Sequence, residues 1–517
     1  MLNKYINFIV FLLLNLVFLP IIINKIQART ALINGGSKMA ETKNAKDVLE
    51  FVNGEKNRIE FVQLLCADIL GDIRGFTIPK AHLKSALEDG KGIDGSSLEG
   101  LVRIEESDLV LKPDPATFRV WPWDFQFDGT NYRVGLMFGD ILNPDGSHNA
   151  GDTRFVLKNV LGKARKMGFS DFFVGPELEF FIFPMKDGKP VPKPVDNGSY
   201  FSMGGSDPHS SLRMSIQLAL SRMGIETGNP IETNYDHHEV APGQHEIDLQ
   251  HLNALEMADV AMIHKFITKE IARKEGLYAT FMPKPIFGEN GSGMHVHQSL
   301  WKGNTNKFFS NDENQHHLSD TALHYVAGLF RHVNDISAVL CQWINSYKRL
   351  VPGYEAPVYH AIGTRNRSAL IRVPEYEPGK EHATRIELRC PDPACNPYLA
   401  FALMLAAGLD GIEKKMPHNK FIGNESMYDL TEKQLKSRGI KTLPGSLAEA
   451  LELFKNSKLA RKTMGEHLFS KFVENKEKEL KDYSAWLSNY CANNKARPED
   501  FRLKITGYEY EHYLPRL

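Results

Sequence analysis

Residues 44–149 alternate apolar and polar positions in short runs, which is the period of strands rather than of helices. The run RIEFVQLLCADILGDIRGFTIP, residues 58–79, predicts two strands joined by a turn at Gly71 and Asp72, and TFRVWPWD and NYRVGLMFGDI predict two more. Near residue 150 the period changes. In HNAGDTRFVLKNVLGKARKMGF, Phe155, Val156, Val160, Ala164 and Met167 share one helical face behind an N-cap at Asp152 or Thr153. Strands and helices then alternate. DFFVGPELEFFIF and GSGMHVHQSLW read as strands, and HHEVAPGQHEIDL as extended chain. DPHSSLRMSIQLALSRMG predicts a helix with Asp207 as N-cap, NALEMADVAMIHKFITKEIARKEG a second, and NPYLAFALMLAAGLDGIEKK a third that opens at Asn396 and Pro397. The pattern predicts an α+β protein: a small β-rich domain over 44–149, then a large domain over 150–517.

Alternation sends residues i and i+2 of a strand to the same face. GPELEFFIF therefore sets Glu177, Glu179 and Phe181 against Leu178, Phe180 and Ile182. In GSGMHVHQSL, His295, His297 and Ser299 oppose Met294, Val296 and Leu300, and in RIELRC, Arg385, Glu387 and Arg389 oppose Ile386, Leu388 and Cys390. One such face is an ordinary solvated sheet surface. Three of them, with no lysine among them, point to a site. HHEVAPGQHE adds Glu239 and Glu246. Five carboxylates with one imidazole suit hard or borderline divalent ions, Mg²⁺ or Mn²⁺, and are enough for two; zinc usually recruits more His or Cys.

The segment INSYKRLVPGYEAPVYHAIGTRNRSALIR carries Lys348, Arg349, Arg365, Arg367 and Arg372 with little acidic compensation. Guanidinium forks match carboxylate and phosphate oxygens, so this reads as an anion clamp. Cation ligands beside an anion clamp describe phosphoryl transfer. No GxxxxGK[ST] is present, so the chemistry is not that of a P-loop.

Composition narrows the partners. The 517 residues carry 62 Lys and Arg against 63 Asp and Glu, which offers no general field for nucleic acid or anionic lipid. With 42% hydrophobic residues the chain is not a disordered one. Five cysteines without a CxxC pair imply a reduced, cytoplasmic protein rather than a disulfide scaffold. The apolar extension over residues 1–38 stands against that, and three readings of it remain open: a signal peptide cleaved after Ala28, an uncleaved anchor, or a stretch ahead of a true start at Met39. As an anchor it keeps the body cytoplasmic, because Lys25 and Arg29 outweigh Lys4. The mature body has no membrane partner.

DGSSLEG with SDLVLKPD, GPELEFF, HHEVAPGQHEID, KPIFGENGSGMHVHQSL, NSYKRLVPGYEAPV, RNRSALIR and RIELRCPDPACNPYLAFA occur in this order. Together these blocks resemble type I glutamine synthetase, glutamate–ammonia ligase, in its short α-type form. The resemblance runs from about Lys43 to the C-terminus. It implies an N-terminal β-grasp domain, and a catalytic domain whose curved antiparallel sheet lines a site shared between subunits of a twelve-membered double ring.

Carried over by motif, the resemblance implies one metal ion at Glu179, Glu239 and Glu246 and another at Glu177, His295 and Glu387. ATP would meet His297, Ser299, Arg367 and Arg372, and glutamate Asn290, Gly291, Arg349, Glu355, Arg367 and Arg389. Arg367 would sit on the transferring phosphoryl group and Glu355 would close the site. Asp94, from a neighbouring chain, would attract ammonium and take its proton; outside this family an Asp before Gly-Ser-Ser is a turn former. Two positions depart from the pattern or stay open. Asn234 stands where the family usually has a glutamate near the nucleotide, with Glu232 two residues earlier. Tyr428, in SMYDLT, stands where the adenylylated subclass carries its modified tyrosine, yet the chain between Glu179 and Glu239 is too short for that subclass. Tyr428 is therefore expected to be a structural residue, with glutamine feedback acting through Arg103. The rivals to ammonia ligation are a ligase for a polyamine or another amine, a non-catalytic oligomer of the same fold, and a metal-dependent hydrolase.

Overall fold

The computed structural model describes residues 44–97, 108–364, 366–417 and 427–517. The extension over 1–38, Arg103 and Arg365 lie outside them.

The first sheet is built from β1 (Ile59–Ala67), β2 (Ile73–Pro79), β3 (Lys91–Asp94), β4 (Asp108–Pro113) and β5 (Thr130–Leu142), in the order β2-β1-β5-β4-β3. Its central pair, β1 with β5, is parallel and the other pairs are antiparallel. The short strands Arg119–Val120 and Phe125–Phe127 also pair with β5. Val62, Leu64, Phe118 and Met137 are buried beneath α1 (Ala45–Asn53), whose Val48 and Val52 close that core.

The second sheet runs β7-β8-β6-β9-β12-β11-β10, with β6 at Asp171–Lys186, β7 at Thr233–His238, β8 at Gln244–Leu249, β9 at Met294–Lys302, β10 at Tyr359–Gly363, β11 at Ala369–Arg372 and β12 at Ile386–Leu388. Every neighbouring pair along this path is antiparallel except β10 with β11 at the edge, which is parallel. Helices back the sheet: α2 (Thr153–Lys166), α3 (Ser210–Ile225), α4 (Ala254–Lys274), α5 (Asp320–Leu340) and α6 (Pro397–Glu413). α5 and α6 meet at glycines: a Cβ on Gly328 would lie 2.1 Å from the Ala407 carbonyl oxygen, and one on Gly411 2.1 Å from that of His324. Leu178, Phe180 and Ile182 of β6 are fully buried against this layer, as the alternation predicts. Phe181 is buried too, so Glu179 ends the polar face of the strand.

The N-caps follow the sequence with one exception. Asp152 accepts from the Arg154 backbone N–H and Asn396 from those of Tyr398 and Leu399. Asp207 does not cap α3, which starts only at Ser210; it takes both terminal nitrogens of the buried Arg213, at 2.9 and 2.6 Å. A buried guanidinium needs carboxylate partners more than a helix end needs a cap, because the helix end can be hydrated.

The two sheets are joined through the α6 cap. Asn396 Nδ2 donates to the Asp68 carbonyl, and Gln342 Nε2 to that of Leu70. Gly71, between them, has φ +84°, and a Cβ there would stand 2.8 Å from Asn396 Cα. Only glycine fits that turn.

Candidate active site

The register of the second sheet gathers the polar faces. Glu246 lies opposite Glu179, and Asp248 opposite Glu177. On the other side of β6, His295 lies opposite Glu177, and one strand further His297 opposite Glu387 and Glu387 opposite Arg372. Side chains opposite each other on one face are near enough to share a ligand. Glu177, His295 and Glu387 each present an atom within 4.8 Å of the others, and so do His237, Glu239 and Glu246. His297 Nε2 donates to Glu177 Oε1 at 2.7 Å and His295 Nδ1 to Oε2 at 3.2 Å. Glu387 is completely buried between two guanidinium groups, accepting from Arg389 at 2.6 Å and from Arg372.

The acidic face is electrostatically strained. Burial, reinforced by the charge of Glu239, pushes the Glu179 carboxyl well above its usual range, and burial with the charge of Glu177 does the same to Glu246. For Glu177 burial acts upward too, but His297 and His295 outweigh it and hold the group well below the usual range. Glu387 is held at about 2 against its burial by Arg389 and its other cationic neighbours. Burial and the charge of Arg389 push His295 down to about 4, leaving a neutral imidazole. Buried carboxylates that repel one another, next to a neutral imidazole, are what a divalent cation relieves. The donors are hard carboxylate oxygens with at most one imidazole nitrogen per group, so the residues fit such an ion.

Facing this floor, Arg349, Tyr354, Glu355, Arg367, Arg372 and Arg389 line the same cavity, together with Asn290 and Gly291. Arg349 is buried and donates to the carbonyls of Cys390, at 2.7 Å, and of Arg389 and Pro391. Arg367 and Arg372 also line a second cavity of about 540 Å³, with Tyr376, Lys380 and Arg385 on its walls. The two spaces adjoin at those arginines.

Comparison with known proteins identifies the family. Residues 58–144 match the glutamine synthetase beta-Grasp domain and residues 150–494 the glutamine synthetase catalytic domain. The chain belongs to the glutamine synthetase family. The glutamine synthetase of Methanosarcina mazei is 45% identical over 449 residues, covering 87% of this chain and 96% of that one. That of Thermotoga maritima is 43% identical over 84% of this chain and 96% of its own length. Among solved structures, Plasmodium falciparum glutamine synthetase superposes with a TM-score of 0.75 at 25% identity, over 91% of this chain and 98% of that one. The enzyme is thus a ligase that makes glutamine from glutamate and ammonia at the expense of ATP, and its family uses divalent metal ions.

The residues singled out in the sequence fall into two groups. Glu177, Glu179, Glu239, Glu246, His295, Asn290, Gly291, Arg349, Glu355, Arg367, Arg372 and Arg389 line one cavity, with Glu387 directly behind it. The others are outside that lining, with His297 reaching it through Glu177. Ser299 is buried and accepts from Trp301 Nε1 at 3.0 Å, while Asn234 is exposed on β7 and donates to the Leu249 carbonyl. His297 is turned toward Glu177, with Arg385 Nε donating to its Nδ1 at 3.1 Å. Asp94 is exposed at the end of β3, beside a separate cavity lined by Cys66, Arg74 and Phe76. Tyr428 is half-buried, its hydroxyl donating to the Ala356 carbonyl at 2.8 Å.

Four polar residues escaped the sequence reading. His237 Nε2 donates to Glu239 Oε1 at 2.9 Å, and Gln244 Nε2 to Glu179 Oε2 at 2.6 Å. Asp248 sits one register step from Glu246 beside Glu177, and Tyr200 lies under Arg367, 5.2 Å from ring centre to guanidinium carbon. Alternation through QHEID puts Gln244, Glu246 and Asp248 on one face, so two of the four had a signal. Tyr200 is on an irregular segment and had none. Among the described residues no helix is long and apolar enough to cross a membrane.

Proposed function

We propose that Glu177, His295 and Glu387 hold one Mg²⁺ or Mn²⁺ ion and Glu179, Glu239 and Glu246 another, with His237 orienting Glu239. Bound there, the ions neutralise the phosphate oxygens of ATP and of the transition state. Arg349 and Arg389 with Asn290 and Gly291 orient glutamate, so that its γ-carboxylate faces the arginine junction. ATP occupies the adjoining cavity with its phosphates toward Arg372 and Arg367, and His297 and Ser299 shape the wall between. Asn234 is assigned no nucleotide contact.

Glutamate first takes the γ-phosphoryl group, because a carboxylate is a poor electrophile, and Arg367 stabilises the charge on the group in flight. Glu355 covers the γ-glutamyl phosphate so that water does not consume it. Asp94 of a neighbouring chain draws in ammonium and accepts its proton, releasing the nucleophile. This requires a neighbouring chain, and a dodecamer of two hexameric rings is the assembly we infer. Glutamine feedback through Arg103 and cytoplasmic residence belong to the same reading; the latter is supported by five cysteines that are all free. The observation that carries the assignment is that Arg367 and Arg372 line both cavities, where two guanidinium groups can meet a phosphoryl group shared between them.

The test is ADP release by the purified enzyme with glutamate and each amine in turn. Ammonium is expected to support turnover and putrescine to give background only. The reverse order would overturn the ammonia assignment.

Metal binding is expected to release protons. Burial pushes Glu179 and Glu246 above the usual carboxyl range, so below that raised range an ion must displace their protons. Affinity therefore weakens as pH falls through that raised range and levels off above it. Calorimetric titration with Mn²⁺ in buffers of different ionisation enthalpy reads the protons directly, and zero release at the low end would contradict the ligand assignment.

A further inference from the structure

The short turn Met427–Asp429 touches both the loop that carries Glu355 and the loop that carries Arg367. On one side Tyr428 Oη donates to the Ala356 carbonyl at 2.8 Å, immediately after Glu355. Glu355 is exposed at the cavity mouth with φ +56°, a left-handed conformation that is sterically unfavourable for a residue with a β-carbon. A backbone in that state persists only where its neighbours are fixed. Ala356 is buried, and the Tyr428 hydroxyl is what fixes its carbonyl. On the other side the Met427 backbone N–H donates to Ser368 Oγ at 3.0 Å, and Ser368 Oγ donates to Asn366 Oδ1 at 2.6 Å. Those two residues flank Arg367. Met427 is itself fully buried, so the turn is anchored in the core rather than carried by either loop.

We infer that Tyr428 is a positioning residue: its hydroxyl latches the Glu355 flap to the turn that also braces the Arg367 loop, so that closure over the acyl phosphate and placement of the phosphoryl clamp are set together. This rests on the reading of Glu355 as the closing carboxylate. Burial pushes the Tyr428 hydroxyl up to about 12, which keeps it a donor near neutral pH. The ring packs 6.0 Å from that of Tyr359, so a phenyl group at 428 keeps the packing and loses only the donor. A group attached to Oη would remove the same donor, and in the latched state the oxygen is already engaged.

The test is Tyr428→Phe in the full-length enzyme, with phosphate and glutamine measured together across a range of ammonium. One lost hydrogen bond shifts the closed-to-open balance by about fivefold. Phosphate released without glutamine is expected to rise about fivefold at low ammonium and to fall back at saturating ammonium, where amine outcompetes water. The melting temperature is expected to move by less than about 2 °C. A purely structural role would lower phosphate and glutamine in proportion at every ammonium level, and that outcome overturns the latch. Glu355→Ala is run beside it. If Glu355→Ala leaks and Tyr428→Phe stays coupled, the latch is wrong and the flap stands. If Glu355→Ala itself stays coupled, the flap reading fails and takes the latch with it.

Discussion

Arg367→Ala is expected to lower kcat by about 10²–10³-fold, the loss that follows removal of one donor aimed at transition-state charge. KM for glutamate is expected to stay within about threefold, because uniform binding and transition-state binding separate in this way. Arg367 is exposed at the junction of the two cavities and rests against Tyr200, with the ring at 5.2 Å and a long hydrogen bond of 3.4 Å to the hydroxyl. Arg349 and Arg389, by contrast, are buried and tied to carbonyls or to Glu387. A guanidinium with weak ground-state contacts can make its strong ones when charge develops between the cavities. Arg367→Lys should recover little, since an ammonium lacks the planar fork. Steady-state kinetics paired with calorimetric glutamate binding decide it. A loss confined to KM would reassign Arg367 to substrate binding.

Asp94→Ala is expected to lower kcat/KM for ammonium by about 10²-fold, within the range for losing a positioned proton acceptor. Asp94 Oδ1 accepts from the backbone and the hydroxyl of Ser96, at 2.9 and 2.6 Å, and these bonds hold its carboxyl below the usual range. It is therefore an ionised group on an exposed rim, suited to a cation. It does not line the acidic cavity of its own chain. If a neighbour's site is what it completes, Asp94→Ala and Arg367→Ala subunits, each nearly inactive, should complement when denatured together and reassembled. Random mixing leaves about a quarter of the shared sites with both residues intact. Activity near that fraction supports a site between chains; none at all would place Asp94 outside it.

Much of the catalytic floor was legible because strand alternation is a local rule. Glu177 and Glu179, His295 and His297, and Glu387 between two arginines could be put on polar faces from spacing alone, and their buried counterparts Leu178, Val296 and Leu388 follow the same rule. Asp207 shows where local rules stop. Before Pro208 it looks like a cap, but its partner Arg213 is chosen by burial. Phe181 departs from its strand's polar face for a similar reason, since it lies where the sheet is covered on both sides.

The sequence by itself determined which side chains are candidates for the chemistry, the faces of the strands that hold them and the caps that start α2 and α6, all set by neighbours a few residues away. Tertiary structure alone decided that Glu246 meets Glu179 and His295 meets Glu177 across β6, that His237 and Tyr200 join the site, and that Tyr428 reaches the residue beside Glu355. Those contacts span tens of residues of chain. Their energies come from register, burial and charges brought together by folding, which no local period encodes.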